Sequence, residues 1–328
     1  MRTILAGTIF AALLSAPAAW GHATCIMFDV PDAVGTFPAA VSGTNRITGL
    51  YSDGDGKVHG FVRQKKGEIE TFDPFGSEST HPLDINDGGT VTGYFYKGGR
   101  PHGFIRQPRG GIFRIKIEGS HGVSGIAIDN ASDVTGDALI QGRSRGFLRH
   151  GTGTVEMFDA PGAQDTYPAD INNLAAVTGR YVTEADPEAD RGFIRNPDGS
   201  FTLFDVAGAM STDPSFIGDD GVVVGSYAGF DGVVHGFRRA ANGAFTFYDV
   251  QGAASTNMIA VDDRGSVWGN WMDDIGRTHG FLQRTDGKVI KFDAPDSTGT
   301  TVTGVNHKGL STGLAQNGGV TRGFRRTH

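Results

Sequence analysis

Cysteine occurs once, at position 25. No internal disulfide can form, so the fold must be held by packing. Beyond the first two dozen residues no run approaches the ~20 apolar residues of a membrane-spanning helix. Basic clusters are scarce: only Arg63-Gln64-Lys65-Lys66 stands out, in a chain of formal net charge −7. That balance argues against nucleic acid as a partner, which calls for a basic stripe. There is no GxSxG, no HExxH and no paired-cysteine metal motif, so the common nucleophile and metal signatures are missing. Sustained helical periodicity is also absent. Glycine is what the chain has in quantity, 51 of 328 residues, within an otherwise globular balance of 38% apolar and 20% charged residues.

The N-terminus reads separately. Arg2 precedes an apolar run, then small residues and Gly21-His22-Ala23. This pattern predicts a secretory signal peptide over 1–23 and a secreted or periplasmic mature protein, 24–328, forming one domain.

Three landmarks recur seven times at one period of 43 to 46 residues. The first is His or Arg before Gly-Phe: His59, His102, Arg145, Arg191, His235, His279 and Arg322. The second is the glycine of a VTG-like segment: Gly49, Gly93, Gly136, Gly179, Gly225, Gly269 and Gly313. The third is an aromatic-Asp pair, as in Phe28-Asp29, Phe72-Asp73 and Phe158-Asp159, with Ile115-Lys116 as the degenerate copy. Repeats of this length announce a solenoid or a propeller.

One unit, 80–119, contains THPLDIN, TVTGYFY, HGFIRQ and IFRIKI, each bounded by a glycine-rich turn. These are four short strands of an antiparallel meander, here called A, B, C and D. The predicted fold class is all-β, a seven-bladed β-propeller of four-stranded blades. The mature chain opens with a D strand at Ile26–Asp29 and closes with a C strand around Phe324. The N-terminal strand is therefore expected to complete the last blade, closing the ring and removing two free edges.

The segment Ile85-Asn86-Asp87-Gly88-Gly89-Thr90-Val91-Thr92-Gly93 followed by His102-Gly103-Phe104 resembles the bacterial extracellular repeat family named for its His-Ala-Phe tripeptide, with Ile171-Asn172 and Val305-Asn306 repeating its first half. The resemblance covers nearly all of the mature chain. It departs in having glycine for alanine, and arginine for histidine in three copies. It implies secretion and a β-rich fold, and it supplies no catalytic residue.

Features shared by all blades read as scaffold. Histidine or arginine before Gly-Phe suits a strand-edge hydrogen bond. The Asp of the aromatic-Asp pair is expected to accept bonds from the D–A loop or from the threonine seven residues on. The Asn/Asp pairs after strand A, such as Asn86-Asp87 and Asn172-Asn173, read as turns. Asp53 and Asp55 resemble the start of a calcium loop without its later bidentate glutamate, so they are metal candidates only of the weakest kind and no cofactor is expected. The residue after the recurrent threonine, by contrast, differs in each blade. Phe37, His81, Tyr167, Asp213 and Asn257 are predicted to ring the channel mouth, with the long B–C segment 183–191 overhanging it. Aromatic and polar groups converging on a concavity suit a small polar ligand. The expected function is a non-catalytic, monomeric binding module for a glycan or an extracellular protein. The alternative is an extracytoplasmic hydrolase or lyase using His81 and Asp213.

Overall fold

The residues 23–327 are described by a computed structural model. The predicted signal peptide lies outside them except for Ala23. Each repeat folds as the alternation of its β-branched and aromatic residues dictates. The first blade comprises β2 (Gly35–Val41), β3 (Ile47–Ser52), β4 (Val58–Arg63) and β5 (Ile69–Phe72), paired in that order and all antiparallel. Five further blades repeat this pattern. The seventh contains β26 (Gly299–Val305), β27 (Ser311–Asn317) and β28 (Val320–Arg326), and its fourth strand is β1 (Cys25–Phe28) from the other end of the chain. The register Cys25↔Arg326 to Phe28↔Gly323 closes the ring as the sequence predicts. Among the described residues no helix is long and apolar enough to cross a membrane.

Strand A is innermost, since the A strands of neighbouring blades touch one another around the axis. Pro38, Pro82, Pro168 and Pro214 sit on these inner edges, where a missing N–H is tolerated. Directly after this position every A strand carries a register shift, as between Pro82 and Asp84. The bulge pushes the A-strand carbonyl toward strand B. A Cβ on Gly93 would stand 2.2 Å from the His81 carbonyl oxygen, and the same holds at Gly49 against Phe37. The recurrent VTG glycine is therefore a consequence of the bulge.

The blades are joined by a staple repeated around the ring. The Phe of each Gly-Phe pair, from Phe61 to Phe324, is fully buried. In four blades its ring meets the aromatic of the preceding blade's D strand edge-on, as in Phe28–Phe61 at 6.2 Å and Phe72–Phe104 at 5.9 Å between centroids. The arginine ending strand C then lies over that same aromatic: Arg63 over Phe28, Arg106 over Phe72, Arg195 over Phe158, Arg239 over Phe204 and Arg326 over Phe292. Buried cation–π contacts of this kind contribute up to about 2 kcal/mol each.

The turns at the A–B end form a second girdle. Asn86 accepts the Thr90 N–H within its own turn and donates to the Asp129 carbonyl of the next blade. Asn172 donates likewise to Gly218, and Asn306 to Ser42 across the closure. The Asn/Asp pairs are turns as predicted, but they also tie blade to blade.

Two scaffold assignments need correction. The principal partner of the aromatic-Asp carboxylate is the His or Arg before Gly-Phe in the same blade, not the D–A loop. The pairs are His59–Asp73 at 2.6 Å, Arg145–Asp159 at 2.6 Å, Arg191–Asp205 at 2.9 Å, His235–Asp249 at 2.9 Å, His279–Asp293 at 2.8 Å and Arg322–Asp29 at 2.7 Å. The two strands are adjacent and the residues stand opposite the same Gly-Phe step, so a cation on one meets an anion on the other. The threonine, in turn, mostly accepts the N–H of the residue after the Asp, as Thr36 does from Val30 at 3.0 Å and Thr166 from Ala160 at 3.1 Å. Among the described residues only Thr80 donates to its aspartate, Asp73.

Candidate functional site

In antiparallel pairs, residues directly opposite share one face of the sheet. The residue after the recurrent threonine lies opposite the residue after the VTG glycine in each blade: Phe37↔Leu50, His81↔Tyr94, Tyr167↔Arg180, Asp213↔Ser226 and Asn257↔Asn270. All five predicted residues thus sit near the D–A ends of inner strands, and each is accompanied by a second variable residue. The third blade contributes Ser124↔Asp137. Sequence reading misses Tyr94, Asp137 and Arg180, although the same blade-to-blade variation marks them.

The ring has distinct sectors. In the second blade His81 stacks on Tyr94 at 4.8 Å, and Tyr96 meets both edge-on. His81 Nε2 is 3.0 Å from Ser79 Oγ, and burial keeps its imidazole below its ordinary pKa. In the third blade Asp137 is half-buried, and desolvation pushes its carboxyl up to about 6 against the opposing pull of Arg180. In the fourth, Arg180 lies over the Tyr167 ring at 4.6 Å, donates to Asp190 at 2.6 Å and approaches Asp213 of the next blade at 3.7 Å. In the sixth, Asn270 pairs through both amide atoms with the backbone of Val302. One guanidinium therefore connects two blades at the mouth.

Residues 183–191 are not a loop but a hairpin: β15 (Val177–Thr183) turns directly into β16 (Asp186–Arg195). Between this hairpin and the D–A loop that follows Asp205 opens a cavity of about 440 Å³, beside the ring and not within it. Asp186, Asp190, Arg191, Met210 and Phe230 line it. Asp190 belongs to both places. Phe230 and Met210 are 80% and 50% exposed, a degree that isolates them as unpacked apolar surface.

Asp53 is committed elsewhere. One carboxylate oxygen accepts the N–H groups of Asp55 and Lys57, and the other meets His59 Nε2 at 3.0 Å. Burial opposes charge on His59, yet its bonds to Asp73 and Asp53 hold its pKa above the ordinary value. Among the described residues no group of three His, Cys, Asp or Glu is arranged to hold a metal.

No protein-family model matches the chain, and no curated protein matches it significantly. Solved structures do. A streptogramin B lyase superposes with a TM-score of 0.62 at 14% identity, covering 93% of this chain and 97% of the other. The virginiamycin B lyase from Staphylococcus aureus gives 0.63 at 12%, covering 93% and 99%. The β-propeller domain of the Trilobed protease from Pyrococcus furiosus, described as having an open velcro topology, gives 0.63 at 9%, covering 90% and 94%. At such identities the likeness is one of fold: a seven-bladed propeller, here with its terminal strands paired.

Proposed function

We propose that the protein is an extracytoplasmic binding module whose site comprises the channel-mouth ring and the adjoining cavity, and whose ligand is a glycan or a glycan-bearing surface. The observation that carries this reading is the contrast within one repeat. Staple, ion pair and girdle recur blade after blade, while the two facing mouth positions change in every blade. Tyr167, Tyr94 and Phe230 offer ring faces to a sugar, and Asp190, Asp213 and Arg180 offer acceptors and donors to its hydroxyls. The signal-peptide pattern and the resemblance to the His-Ala-Phe repeat family agree with an extracytoplasmic role.

A second reading rests on Asp137. A half-buried carboxyl titrating near 6, beside a guanidinium, is suited to take a proton from a bound substrate. On that reading the protein is a lyase or hydrolase, and the lyases of the same fold make that chemistry a natural comparison.

A glycan array on the mature protein, followed by titration with each hit, separates the two. For a binder, Tyr167→Ala and Phe230→Ala weaken the hit by ~10-fold or more and no product forms. For an enzyme, Asp137→Asn, His81→Ala or Asp213→Ala abolishes turnover while binding persists. Binding that ignores every one of these changes removes the mouth from consideration.

A further inference from the structure

The opposite face of the ring, formed by the A–B and C–D turns, is electrically divided. Asp87, Asp129, Asp133, Asp219, Asp220 and Asp263 occupy A–B turns of the second, third, fifth and sixth blades. At the closure seam, between the seventh blade and the first, the sign reverses. A concavity of about 600 Å³ there is lined by Arg46, Lys65, Lys66 and Lys308, with Thr44 and Gln64 between them and Glu68 as its one acid.

Two of the strand-C arginines are neutralised by an acid of the preceding blade, and the one at this place is not. Arg106 and Arg195 meet Glu70 and Glu156 from the preceding blade's D strand. The equivalent position beside Arg63 is Ile26, because β1 came from the other end of the chain. Arg63 is buried under the Lys65-Lys66 turn, its Nε and Nη1 without a hydrogen-bond partner, and the charge of Arg325 adds to its own. Arg46 uses Nε on Gln64 and Nη1 on Thr44 and the Asp87 carbonyl, all neutral acceptors. Lys308 donates to the Gly43 carbonyl. Lys65 and Lys66 are exposed. Four cations therefore line one concavity, with Arg63 and Arg325 behind them, against Glu68 in the lining and the Asp87 carboxylate held on the Gly43 N–H, in a chain whose net charge is negative.

We propose that this seam pocket is a second ligand site, independent of the mouth, and that it takes an acidic carbohydrate, one bearing carboxylate or sulfate groups. The cations supply the charge complement. Thr44, Asn45 and Gln64 are suited to sugar hydroxyls, while the lining has no aromatic ring on which a nucleobase would stack.

Isothermal titration of the purified protein with trigalacturonate and with a sulfated disaccharide tests this, using maltotriose as the uncharged control and a short oligothymidylate as the competing polyanion. At least one acidic sugar binds, maltotriose does not, and 0.5 M salt weakens binding by ~10-fold or more. The double variant Lys65→Ala/Lys66→Ala, at two exposed positions, reduces the affinity by a similar ~10-fold, whereas Phe230→Ala at the far face leaves it unchanged. The proposal is overturned if neither acidic sugar outbinds maltotriose, if the lysine variant binds as well as the parent, if loss follows Phe230→Ala instead, or if the oligonucleotide binds more tightly than both sugars.

Discussion

Asp84 and Asp170 occupy inner-strand positions that are Ala40, Ala127, Ala260 and Gly304 in other blades. Each carboxylate reaches the inner edge of the following blade, Asp84 accepting the N–H of Ile128 at 2.8 Å and Asp170 that of Ile217 at 2.9 Å. Both are only partly exposed and are walled in by protein. Burial raises both, and Asp170, with the Asp84 charge nearby, is pushed up to about 8. The consequence for stability has a definite sign. A carboxyl whose folded pKa lies above its unfolded value favours the fold while it is protonated. That contribution is complete below pH ~4 and is lost as pH rises through about 8. Asp170→Asn keeps an acceptor for Ile217 and removes the charge. It should leave the urea midpoint almost unchanged at pH 4 and raise stability progressively above it, by more than about 2 kcal/mol at pH 9. Equal effects at both pH values would mean that the side chain is not carrying a displaced proton. At this same scale the second blade is a natural control. Where the aromatic-Asp pair degrades to Ile115-Lys116, His102 loses its carboxylate, turns to the Lys97 carbonyl at 3.3 Å, and has its pKa lowered by burial and neighbouring cations. The histidine and aspartate landmarks are both legible in the sequence. Their pairing is not, because it depends on which residues of two strands face the same Gly-Phe step.

The strands show how a repeat can be readable in outline and opaque in its contacts. Seven VTG glycines at one spacing mark an obligatory backbone feature, but the sequence alone does not say which. The bulge supplies the reason: the carbonyl of the A-strand residue after the threonine lies where a Cβ would be. Gly93→Ala should therefore cost more than about 2 kcal/mol in urea unfolding, since backbone and not a flexible side chain must move. Gly54, whose added Cβ would meet nothing within 4 Å, serves as the reference, and its alanine variant should be nearly neutral. Similar losses from both would refute the bulge as the cause. The arginine ending strand C is equally regular in the sequence, with Gln283 the exception, yet its partner is an aromatic of the preceding blade some 35 residues upstream. Nothing in a single strand reveals that. The channel mouth was half legible for a related reason. Variation between blades identifies Phe37, His81, Tyr167, Asp213 and Asn257, whereas Tyr94, Asp137 and Arg180 acquire meaning only through the cross-strand register.

At the scale of the whole ring, the chain's two ends are held by one sheet, and the quality of that joint governs everything that the faces present. Phe28 and Val30 are buried, Arg63 lies over Phe28, Arg322 binds Asp29, and the Val30 N–H is taken by Thr36. The aromatic staple and the ion pair of the interior are thus reproduced at the seam, while Arg63, like Arg239 and Arg326, lacks the carboxylate that Glu70 and Glu156 supply to Arg106 and Arg195: the position is Ile26 here. The charge of Arg63, left without a carboxylate, adds to that of the cations lining the seam pocket, so the terminal strand that closes the ring also bears on the proposed acidic-sugar site. Ile26→Glu should therefore weaken acidic-sugar binding without disturbing the staple. Deleting residues 25–31 is a different intervention. It exposes the β28 edge, strips the apolar partner from Arg63 and removes two buried side chains worth about 1.5–3 kcal/mol apiece. Thermal denaturation should fall by more than about 8 °C, and added peptide of the deleted sequence should restore part of the loss by refilling the same edge. An unchanged melting temperature would show that the ring stands without its terminal strand, and would separate the fold's stability from the joint that closes it.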